Sequence, residues 1–257
     1  MKKVVYLGES QKKVCVSLDG PALRIQRYQK ANVWLPLSQI SYVVCSHQTQ
    51  WKTDALLACM QTSILLIFSS THGKVAGYCV GEIQPSLEMS EVWLSYWEHH
   101  HQGESFYQWH ENTVRHSIMM MAKHLHIPNP RLHHNGAMQD LTHKVFDQFS
   151  QHQVHKIQEE LQELLHAWLV SELFELGWPL EVLCAAQFRP DLSMCMVDHL
   201  HWENQIIVIQ LLQKYPQTIQ REHIIAAFEQ HKHHFKKQFS SYWHDFYHWL
   251  AMHHSFV

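Results

Sequence analysis

Short apolar runs fill the first third of the chain, and wider apolar stripes at helical spacing fill the rest. Runs rich in β-branched or aromatic residues recur at 4–7, 14–18, 23–26, 33–35, 40–45, 64–68 and 75–80, each the length of a strand. Asp19-Gly20-Pro21 and His72-Gly73-Lys74 place turns between them. One segment breaks the pattern. Thr53 to Gln61, TDALLACMQ, has apolar residues at helical spacing and offers Thr53 or Asp54 as an N-cap. The pattern predicts a β-rich domain over residues 1–83 with one helix inserted between two strands.

Residues 83–90, IQPSLEMS, have a proline, two serines and no clear period, and read as a junction. Beyond them the stripes predict helices at 92–100 and 105–126, a proline-containing break at IPNPRL, and helices at 138–150 and 154–176. Helix 154–176 carries a wide stripe of Leu161, Leu164, Leu165, Leu169, Leu173 and Leu176. Further helices are expected at 204–214, 221–235 and 239–253. The fold class expected is α+β, with an all-α domain over 91–257 following the β-domain. No internal repeat is visible.

Composition narrows the class. With 257 residues, 46% of them hydrophobic, the chain can bury a real core. No apolar run approaches a membrane span, and MKKVVYLGES is not a cleavable signal. The six cysteines (15, 45, 59, 79, 184, 195) contain no CxxC pair, so neither a disulfide framework nor a zinc ribbon is indicated, and a reducing cytoplasm is the expected location. The formal net charge is −3, so any contact with phosphate has to be local. The 25 histidines, most of them beyond residue 98, make the charge sensitive to pH. Either histidine simply replaces other polar surface residues, or the chain handles metals or senses pH. The clusters His99-His100-His101 and His231, His233, His234 would bind nickel or zinc in vitro.

Candidate chemistry centres on GWPLEVLCAAQFRPDLSMCMVDHLHWE, where Asp198 sits among residues that otherwise read as core. A carboxylate buried there needs a partner or a metal. Candidate phosphate contacts are Lys123, Arg131, Lys144, Lys156 and above all Arg189, with Lys232, Lys236 and Lys237 interleaved with Phe235, Trp243 and Tyr247. Aromatic and basic residues together suit unpaired bases. An isolated lysine, however, is ordinarily a solvated one, and the aromatic run 239–249 reads as helix core.

The order of pieces resembles the CRISPR-associated adaptation integrase family. The match rests on Leu7-Gly8, Pro36-Leu37, the helix at Thr53, the strand at 64–68 and the Gly73 to Gly77 hairpin, then the long helix ending at Gly177 and the aspartate Asp198. The resemblance implies a β-domain that dimerises and a helical domain that binds DNA and carries a glutamate, a histidine and an aspartate on a magnesium or manganese ion. It implies DNA partners (spacer precursor and CRISPR array), a small second adaptation subunit, and no membrane. Aligning Asn135-Gly136 and Val145-Phe146 puts Met138 at the glutamate position, and counting from Gly177 and Asp198 puts Ala186 at the histidine position. Asp198 alone remains. A soft thioether and a methyl group cannot replace oxygen and imidazole ligands, so no metal is expected at that set. His201 and Glu203, with Glu172 and Glu175 before them, are possible substitutes, and a shifted register brings in Asp140.

Three functions follow. One is a DNA-binding or scaffolding subunit of spacer acquisition with impaired or lost catalysis, acting as a homodimer or beside an active paralogue. The second is a metal-dependent endonuclease and integrase with ligands relocated around Asp198 and His201. The third is a histidine-rich metal-handling or interaction protein that shares only the fold.

Overall fold

The computed structural model describes residues 3–8, 13–70, 75–81, 87–99, 103–183 and 189–254. The chain divides into two compact units, Met1–Pro85 and Ser86–Val257.

In the first unit, β1 (Lys3–Leu7), β5 (Ile40–Ser46), β7 (Leu65–Ser69) and β8 (Val75–Cys79) form a sheet in the order β1-β5-β7-β8. Its first two pairings are parallel and the last antiparallel. A second sheet runs β4-β3-β2-β6, built from β2 (Val14–Asp19), β3 (Ala22–Arg27), β4 (Val33–Pro36) and β6 (Thr49–Trp51). The three-residue β6 is too short to show a period and was not expected. α1 (Thr53–Gln61) supplies the crossover that a parallel β5–β7 pair requires. Neither Thr53 nor Asp54 occupies its N-cap: that position is Lys52, whose carbonyl accepts the amides of Ala55 and Leu56. Val16, Leu23, Ile25, Val43, Leu66 and the α1 residues Ala55 and Cys59 share one core. Burial pushes the Cys45 and Cys59 thiols up to about 12, which keeps them un-ionised and inert. Gly8, at φ 119°, packs so closely on Ser46 that a Cβ would overlap its side chain, which explains the Leu-Gly end of β1. Gly73, the first glycine of the expected hairpin, lies outside the described residues; Gly77 is in β8.

The second unit is helical: α2 (Leu87–His99), α3 (Glu104–His124), α4 (His134–Leu141), α5 (Gln151–Glu175), the single turn α6 (Leu180–Leu183), α7 (Leu192–Lys214) and α8 (Arg221–His254). Helix α2 takes in the last residues of the expected junction. Helix α4 starts before the expected 138 because the His133 imidazole caps it, accepting the Gly136 amide at 3.1 Å. It ends in a π-helical turn, Thr142–Phe146, short of the expected 150.

Two larger corrections concern α7 and α8. α7 starts at Leu192 rather than 204, and it is buried on nearly every side, packed against α3, α5 and α8. A helix buried all round has no apolar stripe to read. Its start is fixed by Asp191, whose carboxylate accepts the Met194 amide at 3.0 Å and the Ser193 hydroxyl at 2.5 Å. Ser193 in turn accepts from His166 Nε2 of α5 at 2.8 Å, so the cap is tied to the helix beneath it. The expected helices 221–235 and 239–253 are one helix, α8. Phe228, Phe235, Tyr242 and Trp249 recur every seventh residue and are buried, with Phe239 and Phe246 between them. Lys236 and Lys237, in the gap between the two expected helices, face solvent and are good helix formers.

Aromatic rings close the bundle. Trp93 of α2 lies 5.4 Å from Phe246, Tyr96 lies 5.0 Å from Trp249, and Trp109 of α3 lies 5.1 Å from Tyr242, centroid to centroid. Such edge-to-face and offset contacts stabilise beyond area burial alone, by about 0.5–1.5 kcal/mol per pair. The aromatic run of α8 is therefore mostly core, with Tyr247 left outside.

Replacing Asp191 by alanine should lower stability by about 1–2 kcal/mol. Ser193→Ala should cost a similar amount, since it strands the buried His166 nitrogen. Urea unfolding should show both as a lower midpoint at unchanged slope. An unchanged midpoint in either variant would break the link between cap and core.

Candidate active site

Asp198 lies on the second turn of α7. Its neighbours Met196, Val197 and Leu200 are buried, but its own side chain is 47% exposed. Water therefore solvates the carboxylate, and the expectation of a buried charge that must find a partner is corrected. The nearest imidazole is His110 of α3, with Nε2 3.8 Å from Asp198 Oδ2, beyond hydrogen-bond range. His110 stacks flat on Phe106 at 6.0 Å, which holds its ring in place.

The histidines beside Asp198 turn inward. His199 Nδ1 meets Ser117 Oγ at 2.6 Å, and that hydroxyl donates to the Thr113 carbonyl at 3.1 Å, so His199 Nδ1 is the donor. Its ring packs 4.6 Å from that of Tyr242. His201, three residues past Asp198 and on the same face, accepts from Gln205 Nε2 at 2.9 Å through its own Nε2. Gln205 Oε1 accepts from Gln158 of α5 at 2.8 Å. The His201 lone pair a metal would need is thus engaged by an amide. Glu203 takes another face and pairs with His234 of α8 at 3.1 Å. The structure brings Asp198 and His201 to one face but separates Glu203 from both.

Met138 is half-buried on α4, one turn beyond His134. The His134 ring lies 5.8 Å from His201 and 5.2 Å from Trp202, so this face of α4 abuts α7. Ala186 lies outside the described residues, as does most of the His99–His101 cluster. Asp140 is buried and tied to Arg131, which gives it a backbone amide and a guanidinium nitrogen, each at 2.9 Å. Lys144 adds a contact at 3.5 Å. Arg131's side-chain and backbone hydrogen bonds hold the Asp140 carboxyl down at about 2. Asp140, Arg131 and Lys144 therefore form one structural knot. Lys236 pairs with Glu172 at 3.2 Å; Lys156 and Lys237 are exposed; Arg189 is partly buried just before the α7 cap.

A magnesium or manganese ion seeks several oxygen ligands, and Asp198 with the imidazoles of His110 and His201 beside it is a poor match for that demand. Among the described residues no three histidine, cysteine, aspartate or glutamate side chains converge on a metal position. The sequence reading centred on Asp198 and did not include His110, since α3 and α7 meet only in the fold. Among the described residues no helix is long and apolar enough to cross a membrane.

Burial and neighbouring imidazoles push His199 and His201 down to about 4: His110 and His116 act on the first, His134 on the second. Unfolded, both titrate near 6.5. The folded chain then binds fewer protons than the unfolded one between about pH 4 and 6.5, so stability rises with pH across that window. The contribution is whole above the unfolded value and is lost on acidification, on the order of 3 kcal/mol per histidine at full titration. Thermal unfolding should show Tm dropping from pH 7 to pH 5, and the drop should shrink in the His199→Gln, His201→Gln variant.

The family model described as "CRISPR associated protein Cas1" matches residues 8–172. No curated protein sequence matches the chain significantly. Solved structures do. A CAS1 protein from Thermotoga maritima, TM1797, superposes with TM-score 0.65 at 10% identity, over 89% of each chain. A casposase bound to integration product gives 0.62 at 9% identity, over 90% of this chain and 82% of that one. A TtCas1–DNA complex gives 0.60 at 9% identity, over 91% and 88%. The fold is therefore theirs, and the sequence match, which spans most of the chain, makes this protein a member of the CRISPR-associated Cas1 family.

Proposed function

We propose that this chain is a DNA-binding and scaffolding subunit of spacer acquisition whose metal-dependent catalysis is impaired or lost. The reading rests on the surroundings of Asp198. Its carboxylate is half-exposed, His201 spends its lone pair on Gln205, Glu203 is engaged with His234, and Met138 and Ala186 occupy the aligned ligand positions. In metal-assisted transfer the ion polarises the phosphate and stabilises the charge that develops as a hydroxyl attacks. One carboxylate cannot hold such an ion against water.

Binding does not need that ion. Two of the solved structures that share this fold hold nucleic acid or an integration product. In this chain the exposed Lys156 and Lys237 are the cations this reading assigns to phosphate, since Arg131 and Lys144 are committed to Asp140 and Lys236 to Glu172. Pairing through the β-unit is supported by its outer hairpin, where Tyr28 is 71% and Trp34 51% exposed beside Val33. The second adaptation subunit and an active paralogue are the further partners of this reading.

The chain should bind a branched DNA duplex at low salt, with affinity falling as salt rises. Lys156→Ala and Lys237→Ala should each flatten the log–log salt slope by about one. It should give no manganese-dependent cleavage or integration. Turnover that vanishes in Asp198→Ala would overturn the inactive reading in favour of a site rebuilt on Asp198. Absence of DNA binding at low salt would leave the histidine-rich metal-handling alternative.

A further inference from the structure

On the solvent side of α8, His244 and His248 stand one helical turn apart, and their Nε2 atoms are 3.0 Å from each other. The rings are perpendicular, with centroids 4.3 Å apart, and both side chains are exposed. Two bare imidazole nitrogens repel, so the contact means either a proton shared between them or a cation between them. The spacing suits a cation. With metal–nitrogen bonds of about 2.1 Å, nitrogens this close subtend about 90° at a common ion. That is the cis angle of square-planar or octahedral coordination, and it is narrower than a tetrahedral site prefers.

We propose that His244 and His248 form a two-imidazole chelate for a late divalent transition metal, copper or nickel before zinc. The Irving–Williams order gives the same preference as the angle. Water fills the remaining positions, so the bound ion stays open to a further ligand. His244 also lines a groove of about 580 Å³ between α5 and α8, with Glu172, Glu175, Trp243 and Tyr247 on its walls. An ion on His244 sits at the edge of that groove, whose Glu172 is already paired with Lys236. The helix enforces the geometry: the i, i+4 spacing puts the two rings on one face, and the buried aromatic seam of α8 keeps the helix from fraying there. This site is separate from the family's aligned ligand positions and stands whatever becomes of Asp198.

The sequence pointed elsewhere. Adjacent histidines catch the eye, yet consecutive helical residues are turned about 100° apart and cannot share an ion. In the 231–234 cluster, His231 Nδ1 meets the Ala227 carbonyl and His234 meets Glu203.

The test is a copper(II) titration of the full chain, carried without an affinity tag, read by calorimetry and by the nitrogen couplings of the copper signal at one equivalent. Expected is one site tighter than the rest, with two nitrogen ligands. His244→Ala, His248→Ala and the double variant should each weaken it by about 100-fold, the loss of an intramolecular second ligand. The double variant should be little worse than either single one, because a chelate is lost when either arm is removed. His233→Ala should leave it unchanged. Equal melting curves of all variants in a chelator would establish that folding is intact. Loss of one equivalent at unchanged affinity in each single variant would mean two independent one-histidine sites and would overturn the proposal. So would a tightest site untouched by either substitution.

Discussion

The second unit depends on keeping α7 buried. A helix packed by α3, α5 and α8 can bring few polar groups inside unless each finds a partner, since an unpaired buried polar atom costs about 1–3 kcal/mol. The polar positions of α7 obey that constraint for the most part. Ser193 is shared between Asp191 and His166, His199 is held by Ser117, and His201 and Gln205 pass a chain of hydrogen bonds to Gln158. Asn204, buried to 2%, breaks the rule, with neither amide atom partnered among the described residues. The partners lie on α3 and α5, so the same bonds that satisfy α7 also set its register against both neighbours.

This constraint shapes the candidate site. Histidines that are spoken for by hydrogen bonds to serine and glutamine are poor ligands, and the burial that aligns them also keeps them neutral. Asp198 differs from these histidines in that its side chain reaches solvent without a hydrogen-bond partner within range among the described residues. Basic residues divide likewise: Arg131 and Lys144 hold Asp140 and brace the loop before α4, whereas Lys156 and Lys237 remain on the surface. In such a chain, charge that stabilises the fold and charge free to meet phosphate come from different residues.

Much of the β-unit was legible in the sequence because its strands alternate with turn residues and its lone helix has a clear stripe. The first half of α7 was not, because burial on nearly every side erases periodicity, and only Asp191-Leu-Ser hints at its start. α8 was read as two helices with a gap at 236–238, although Phe235 and Phe239 carry the seam past it. For the site, sequence order led to Asp198 and, through the alignment, to Met138. It could not supply His110, 88 residues earlier, nor reveal that Arg131 was already taken. Those are facts of packing between helices that the chain order keeps apart.

One unbroken α8 has a cost in tolerance to change. At about 1.5 Å per residue, its 34 residues make a rod about 50 Å long with no loop to absorb an error. Inserting or deleting a single residue near Gln238 would turn everything downstream by about 100°. Tyr242, Phe246 and Trp249 would swing toward water, and the outer histidines toward the rings of α2 and α3. Two shorter helices could have relaxed that error in a linker. Here the phase set at Arg221, where the helix is pinned to Glu163 at 3.0 Å, is carried undiminished to the far end.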